Sequence, residues 1–173
     1  FSIIVYMHDM DDEKPIADLP REAGDLAREA AGACFCMRAR QAARLVTRRY
    51  DDALRPVGLR ITQFTMLAAV TAAGGSLSFS ALAERLGMDR TTFSRNVAPL
   101  QRRGLVTLRD DLPGRARSVA LTTAGATLFA QAAPLWRGAQ AELHGLLGDA
   151  DWQALGQGLA RAGARMSEAQ DGS

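Results

Sequence analysis

The sequence predicts a mostly α-helical protein with a small β-wing, that is, a winged helix-turn-helix with long N- and C-terminal dimerisation helices. Three observations predict this fold class. Two short helical patterns lie between Ser80 and Gly104 with only a tight turn between them. Two alternating, strand-like runs follow. A long helical pattern of apolar residues begins after Thr122.

The two short helices are delimited by capping residues. We expect Ser80 to cap a first helix over ALAERLG, which Gly87 ends in a left-handed conformation. Asp89 is a good N-cap for a second helix that begins at Arg90. The inner face of this second helix is formed by apolar residues at positions i, i+4 and i+7, which are Phe93, Val97 and Leu100.

The outer face of the second helix carries hydroxyl, amide and guanidinium groups, on Arg90, Thr91, Thr92, Ser94, Arg95 and Asn96. Such groups donate hydrogen bonds to base edges and phosphates. Arg95 is suited to a bidentate guanine contact and Asn96 to an adenine, and either is equally suited to a phosphate. The pattern therefore predicts that this helix binds double-stranded DNA through the major groove.

The two strand-like runs predict a β-hairpin, the wing. Val106 and Leu108 alternate with other residues in the first run, and Val119 and Leu121 do so in the second. The residues between the runs favour a turn, and they include Leu112, Pro113 and Gly114. Two arginines flank this turn and are placed to enter an adjacent minor groove, Arg115 and Arg117.

Charge favours DNA as the partner of this segment. Eight arginines and four acidic residues lie between Ser80 and Thr122, a local excess of four positive charges, whereas the whole chain carries +2. The alternative is a winged helix that contacts only another protein. An enzyme is not expected, because the sequence has no nucleotide-binding loop, no nucleophile elbow and no histidine beside paired carboxylates. We expect no cofactor.

The composition predicts a cytoplasmic protein without membrane contact. The apolar run FSIIVY at the start is far shorter than the ~20 residues that cross a bilayer, and it lacks the charged n-region of a secretory signal. In that compartment we expect Cys34 and Cys36 to be reduced thiols. His8 and His144 are far apart, and no residues have zinc-ligand spacing, so no metal is expected.

We expect five segments: a disordered or expression-derived N-terminal segment (1–20), N-terminal dimerisation helices (21–58), the DNA-binding winged helix (59–122), C-terminal dimerisation helices (123–168) and a tail (169–173). The stretch from about Asp25 to Leu54 is helical in pattern, with Cys34 and Cys36 near the start of the first long helix, and a second, buried helix is predicted over Ile61–Ala73. The apolar pattern after Thr122 is interrupted at Gly148. A small winged helix cannot cover so much apolar surface, which predicts a homodimer. The alternative is a self-contained helical bundle.

Two motifs are the most specific in the chain, LAERLGMDRTTFSRNVAPLQRRGLV and the GR-x-x-x-V-x-LT end of the wing. With the order of elements from Cys34 to Ala162, they resemble the MarR (multiple antibiotic resistance regulator) family of bacterial transcription factors. The resemblance implies a homodimer that binds a short inverted repeat, usually at its own promoter. Arg95 matches the family's recognition-helix arginine and Arg115 its wing-tip arginine. Pro113 stands where the family often has an aspartate.

The resemblance also implies that a signal releases the protein from DNA. One kind of signal is a small ligand, frequently an aromatic carboxylate, bound between the first, second and fifth helices of the family. Arg44 is placed to hold such a carboxylate bidentately, and Gln63 and Met66 are candidate walls of the site. No particular compound follows from these residues.

The other kind of signal is oxidation. When RLVTRRY is aligned with the family's organic-hydroperoxide sensors, the reactive cysteine falls on Cys36 and Tyr50 matches one of its hydrogen-bonding tyrosines. Arg40 and Ile61 stand where other tyrosines are found. The alternative is that both cysteines are small apolar residues packed at the dimer junction. A disulfide between Cys34 and Cys36 is not expected if that turn is helical, because residues two apart point to different sides.

Overall fold

The computed structural model describes residues 20–109 and 117–171, and the chain forms two compact units, Phe1–Arg44 and Leu45–Ser173. The predicted segment 1–20 (apart from residue 20), His8 and the last two residues of the predicted tail lie outside the described residues. In chain order the elements are α1 (Arg21–Ala33), α2 (Phe35–Leu54), a 3-10 turn (Arg55–Val57), α3 (Ile61–Ala72), β1 (Ser76–Ser78), α4 (Phe79–Arg85), α5 (Arg90–Arg102), β2 (Val106–Arg109), β3 (Ser118–Leu121) and α6 (Thr123–Asp171). The predicted fold class, mostly helical with a small wing, is confirmed.

The region Asp25–Leu54 is helical, as its pattern predicts, and the chain forms two helices there, α1 and α2. Cys34 interrupts them with an extended backbone (φ −63°, ψ 107°). Gly32 is a weak helix former, and α1 buries no residue, so no packing holds a continuous helix across this stretch. The Arg38 guanidinium donates a hydrogen bond to the Gly32 carbonyl and so bridges the interruption.

The core of the second unit is built around α3. Leu67 and Val70 of this helix have no exposed surface. Leu54, at the end of α2, is buried in the same cluster, together with the predicted inner face of α5, Phe93, Val97 and Leu100. The predicted burial of α3 and of one face of α5 is therefore confirmed. Full burial of each large apolar side chain stabilises the fold by about 1.5–3 kcal/mol.

The three strands form one antiparallel sheet in the order β1-β3-β2. Val119, in the central strand, pairs with Leu77 on one side and Leu108 on the other. Ser118 and Ala120 of β3 are buried as well. The sheet joins the hairpin to the start of α4, because β1 runs directly into that helix.

The two helices of the helix-turn-helix begin at capped residues. The predicted cap at Ser80 is wrong: α4 starts two residues earlier, and the Ser78 hydroxyl accepts a hydrogen bond from the Ala81 amide at 3.2 Å. Strand β1 ends at Ser78, which places this serine at the boundary where a cap is needed. The predicted cap at Asp89 is confirmed by a 2.8 Å hydrogen bond from the Thr92 amide.

Helix α6 is interrupted at Gly148, as predicted, where the backbone leaves the helical region (φ 75°, ψ 164°). We call the part before Gly148 proximal α6 and the part after it distal α6. Ala132 of proximal α6 packs fully buried in the core, whereas Leu155 and Leu159 of distal α6 are exposed. Within residues 20–109 and 117–171, no helix is long and apolar enough to cross a membrane.

Candidate nucleic-acid interface

The pairing of α4 with α5 fixes which side of α5 faces solvent. Gly87 turns the chain in a left-handed conformation (φ 61°), and the Met88 amide donates to the Ala83 carbonyl at 2.9 Å. The Phe79 and Phe93 rings then meet edge to face, with 4.5 Å between their centroids. Since this contact locks one face of α5 in the core, the opposite face is presented outward.

The outward face of α5 carries the residues that the sequence predicted to contact DNA. Five of them are exposed, Arg90, Thr91, Thr92, Ser94 and Arg95, and Asn96 is half-buried. They lie in the first two turns of the helix, which are the turns that enter the major groove in helix-turn-helix proteins. The structure therefore brings these six residues together on one surface.

Two of these six side chains also stabilise the start of α5. The Thr92 hydroxyl donates to Asp89 Oδ2 at 2.7 Å, and Asn96 Nδ2 donates to the Thr92 carbonyl at 2.8 Å. The hydrogen bonds from the Thr92 hydroxyl and amide hold the pKa of the Asp89 carboxyl below its ordinary value of 3.8. Thr92 and Asn96 are thus already hydrogen-bonded within the protein, whereas Ser94 and Arg95 are exposed on the outer face.

The tip of the wing lies outside the described residues, and with it the predicted DNA contact Arg115 and the turn residues Leu112, Pro113 and Gly114. Arg117 is described and exposed, and its carbonyl accepts a 2.7 Å hydrogen bond from the Phe79 amide. The base of the wing is thus tied to the first residue of α4.

Sequence reasoning missed a structural role for one arginine near this surface. Arg103 Nη1 donates to the Gly58 carbonyl at 2.6 Å, which joins the end of α5 to the turn that precedes α3. Gly58 has a left-handed backbone (φ 63°) that turns the chain there. No sequence signal marks this contact, since the two residues are distant in the chain. Arg85, Arg102 and Arg109 are further exposed arginines of the same unit.

The three predicted ligand residues occupy different surroundings. Arg44 is exposed on α2. Gln63 Oε1 accepts a hydrogen bond from the Arg60 amide at 3.0 Å and so helps to cap α3. Met66 is 1% exposed and belongs to the core. Their assignment to an effector site stays a prediction, with Gln63 and Met66 already engaged in the fold.

A second group of contacts joins α2 to proximal α6. The Tyr50 hydroxyl donates to Gln140 Oε1, and Arg49 forms an ion pair with Glu142 at 2.8 Å. Burial raises the pKa of the Tyr50 phenol. Tyr50, the residue that matches a thiolate-binding tyrosine in the redox branch, is therefore buried and already hydrogen-bonded in this structure.

The two cysteines differ in backbone and exposure. Cys34 is half-buried with an extended backbone, and Cys36 is exposed in the first turn of α2. We expected no disulfide between Cys34 and Cys36 if both lie in a helical turn. Cys34 is not helical, so this condition does not hold. Among the described residues, no group of three or more His, Cys, Asp or Glu side chains is arranged to hold a metal ion.

Comparison with known proteins gives consistent results. A sequence model of the MarR family matches residues 57–116. The M. tuberculosis transcriptional regulator MosR is 39% identical, with 79% of this chain and 97% of that chain covered and a TM-score of 0.67. The same regulator in complex with DNA is 37% identical, with 79% and 98% covered and a TM-score of 0.70. An E. coli MarR variant complexed with operator DNA shares the fold, at 20% identity, 78% and 96% coverage and a TM-score of 0.68. No curated protein sequence matches the chain.

The fold and the exposed face of α5 define a transcription regulator with a DNA-binding winged helix. The chain belongs to the MarR family, as the identity to MosR over most of both chains and the family match show. The predicted family is confirmed.

Proposed function

We propose that this protein is a homodimeric repressor that binds a pseudo-palindromic operator and is released from it by a small aromatic carboxylate. The observation that carries the DNA-binding part is the exposed, polar first half of α5 above a fully buried inner face. The complex of the 37% identical MosR with DNA supports it. A fixed inner face holds the outer side chains in one geometry, which base-specific contacts require.

Exposed apolar side chains support the homodimer. Leu155, Leu159 and Met166 of distal α6 are each more than half exposed and recur at helical spacing. A second copy of the chain would cover them and would place two α5 helices about one DNA turn apart on adjacent half-sites.

Fluorescence anisotropy tests DNA binding directly. We expect the protein to prefer the DNA upstream of its own gene over a scrambled duplex by about 10³-fold or more at physiological salt, the low end for a specific regulator. Weak and equal binding to both duplexes would contradict the proposal and favour a winged helix that contacts protein.

Substitution of Arg95 separates base contacts from general electrostatics. Arg95→Ala is expected to weaken operator binding by about 1–3 kcal/mol and to relax specificity at one base pair. Arg102→Ala is the matched control, because it removes the same charge from the last turn of the same helix. Equal losses in the two variants would rule out a base contact by Arg95. We also expect Arg115→Ala to weaken binding through loss of a minor-groove contact.

The effector is tested with a simple aromatic carboxylate. Benzoate is expected to release the protein from operator DNA, whereas cyclohexanecarboxylate, which has the charge without the aromatic ring, is expected to release it less. Arg44→Ala should abolish the benzoate response and Arg48→Ala, a second exposed arginine of α2, should retain it. Equal responses to both acids, or an unchanged response in Arg44→Ala, would contradict the assignment.

The second candidate is a thiol-based repressor that senses hydroperoxides through Cys36, and the exposure of Cys36 favours it. A hydroperoxide would convert the thiolate to a sulfenic acid and leave as the alcohol. Hydroperoxide should then abolish DNA binding by the wild type and leave binding by Cys36→Ser intact. Continued sensitivity of Cys36→Ser would exclude Cys36 as the sensor, and Cys34→Ser serves as the paired control.

A further inference from the structure

One threonine hydroxyl lies where the residues after α5 contact the first turn of α6, across the base of the wing. We define the α5–α6 corner as Gly104, Leu105, Thr122 and Gly125. The Thr122 hydroxyl donates to the Gly104 carbonyl at 2.7 Å and to the Leu105 carbonyl at 3.0 Å. The same oxygen accepts a hydrogen bond from the Gly125 amide at 3.0 Å. The hydroxyl therefore donates to the two residues that lead from α5 into β2, and it accepts a hydrogen bond as the N-cap of α6.

A second contact leaves no space between the two helices at this corner. A Cβ on Gly125 would lie 2.0 Å from the Leu105 carbonyl oxygen, so the first turn of α6 rests directly on that peptide group. The Thr122 amide also donates to the Leu105 carbonyl, at 3.2 Å. The start of α6 and the residue Leu105 therefore meet backbone to backbone, and Leu121 Cδ1 lies at the edge of the same contact.

Leu105 in turn is fixed to the recognition helix and to the wing. Its amide donates to the Leu100 carbonyl at 2.9 Å, its side chain is 6% exposed, and β2 begins at the next residue. A displacement of the start of α6 must therefore move Leu105, and with it the end of α5 and the first strand of the wing.

We propose that Thr122 is a positioning residue that sets the orientation of the recognition helix α5 relative to α6. The inference rests on the proposed function, because it assigns the route by which a signal at the dimerisation helices changes DNA binding. Thr122 itself lies outside the outer face of α5 and acts through the backbone of the α5–α6 corner.

The test compares three substitutions in α6 and its cap. Thr122→Val keeps the shape and removes all three hydrogen bonds of the hydroxyl, Thr122→Ser keeps the hydroxyl, and Thr127→Val is the matched control. Thr127 donates only to the Thr123 carbonyl one turn earlier, on an exposed side of α6. We expect Thr122→Val to lower operator affinity about tenfold, a size typical of residues that modulate coupling between sites. Thr122→Ser and Thr127→Val should remain close to wild type.

The outcomes separate this inference from the proposed function. Specific binding by wild type and Thr127→Val tests the function, and the difference between Thr122→Val and Thr127→Val tests the role of Thr122. Equal affinity of those two variants would overturn the inference, as would a loss in Thr122→Ser as large as that in Thr122→Val, since the hydroxyl would then be irrelevant.

Hydrogen exchange of the free protein gives a test that needs no DNA. In Thr122→Val, amide exchange should accelerate both in the first turn of α6 and in the last turn of α5, whereas Thr127→Val should affect α6 alone. Faster exchange confined to α6 in Thr122→Val would show that the hydroxyl is only a helix cap and would overturn the inference.

Discussion

The start of the recognition helix is set by one carboxylate. Asp89 accepts hydrogen bonds from the hydroxyl and the amide of Thr92, and both bonds are strongest when the carboxyl is ionised. The helix dipole favours the same negative charge at this end. The pKa of Asp89 is lowered because these two hydrogen bonds stabilise the ionised carboxylate. Asp89 thus orders the turn of α5 that also carries the side chains predicted to contact DNA.

The pH dependence of stability tests this role of Asp89. Because its folded pKa is depressed, the stabilisation is present above about pH 4, where the unfolded chain titrates, and is lost as the pH falls through the lower folded pKa. Asp89→Asn keeps a capping oxygen but does not titrate. We expect urea unfolding to show a wild-type advantage near pH 6 that decreases as the pH falls below about 4. A difference that does not change with pH would contradict this account.

Residue-scale prediction from the sequence succeeded where the signal is local. Asp89 follows a glycine-ended helix and precedes an apolar i, i+4, i+7 pattern, and it caps α5 as predicted. Ser78 and Ser80 offer the same chemistry, and the sequence favoured the wrong one. The choice is made by pairing of β1 with Ser118 and its neighbours, a distant contact that local reasoning cannot supply.

Among the elements, proximal α6 is held to the winged helix through an unusually close backbone contact. Gly125 is required there because the Leu105 carbonyl occupies the place of a side chain. Helical glycines ordinarily weaken a helix relative to alanine. At Gly125 the clash with the Leu105 carbonyl therefore opposes the better helix propensity of alanine. The larger of these two effects decides whether Gly125→Ala raises or lowers the free energy of unfolding.

Two glycine-to-alanine substitutions in α6 measure these terms. Gly125→Ala is expected to lower the free energy of unfolding by about 2 kcal/mol or more, since the obstruction is backbone and cannot rotate away. Gly138→Ala is the control, because a Cβ there meets no described atom within 4 Å. It should stabilise the protein by about 0.5–1 kcal/mol. Urea unfolding of both variants checks the signs, and stabilisation by Gly125→Ala would refute the close contact.

Elements were predicted well where the apolar pattern extends over many residues. Helix α5 and the two wing strands follow from periodicity, and α3 follows from a run that is apolar nearly all round. Strand β1 has three residues and no pattern of its own. The burial of Ser118 was equally hidden, because it results from β3 lying between two strands. The break at Cys34 was missed because the surrounding residues are mostly good helix formers.

On the scale of the whole molecule, distal α6 carries a row of large apolar side chains that no described residue covers. Leu159 is 71% exposed and Met166 is 61% exposed, on a helix whose proximal part is packed in the core. Single exposed apolar residues are common, but a row at helical spacing is the pattern expected of an interface. The apolar row itself follows from periodicity in the sequence, and its role as a dimer interface stays a prediction.

A charge placed on that row tests the dimer. Leu159→Asp is expected to shift the protein from dimer to monomer in sedimentation equilibrium, because burial of an unpaired carboxylate in an apolar interface is costly. Gln157→Asp adds the same charge to an exposed position two residues away, on another side of the helix, and should remain dimeric. A dimeric Leu159→Asp would exclude this face as the interface.

Two of the residues predicted for the effector site, Gln63 and Met66, have structural roles that the sequence did not indicate. Gln63 and Met66 were chosen by their position on α3, yet one caps a helix and the other fills the core. Both roles depend on neighbours that lie elsewhere in the chain. The tie between Arg103 and Gly58 was unforeseen for the same reason.

Because α6 is interrupted at Gly148, the length of proximal α6 fixes both the distance and the rotation at which distal α6 begins. Each residue inserted between Gly125 and Gly148 would lengthen it by about 1.5 Å but would turn everything beyond it by about 100°. The exposed row of Leu155, Leu159 and Met166 would then face in a different direction. Insertions or deletions between Gly125 and Gly148 therefore keep the direction of distal α6 only when they add or remove about a whole number of helical turns. The length of this segment is constrained even at positions where many residue types fit.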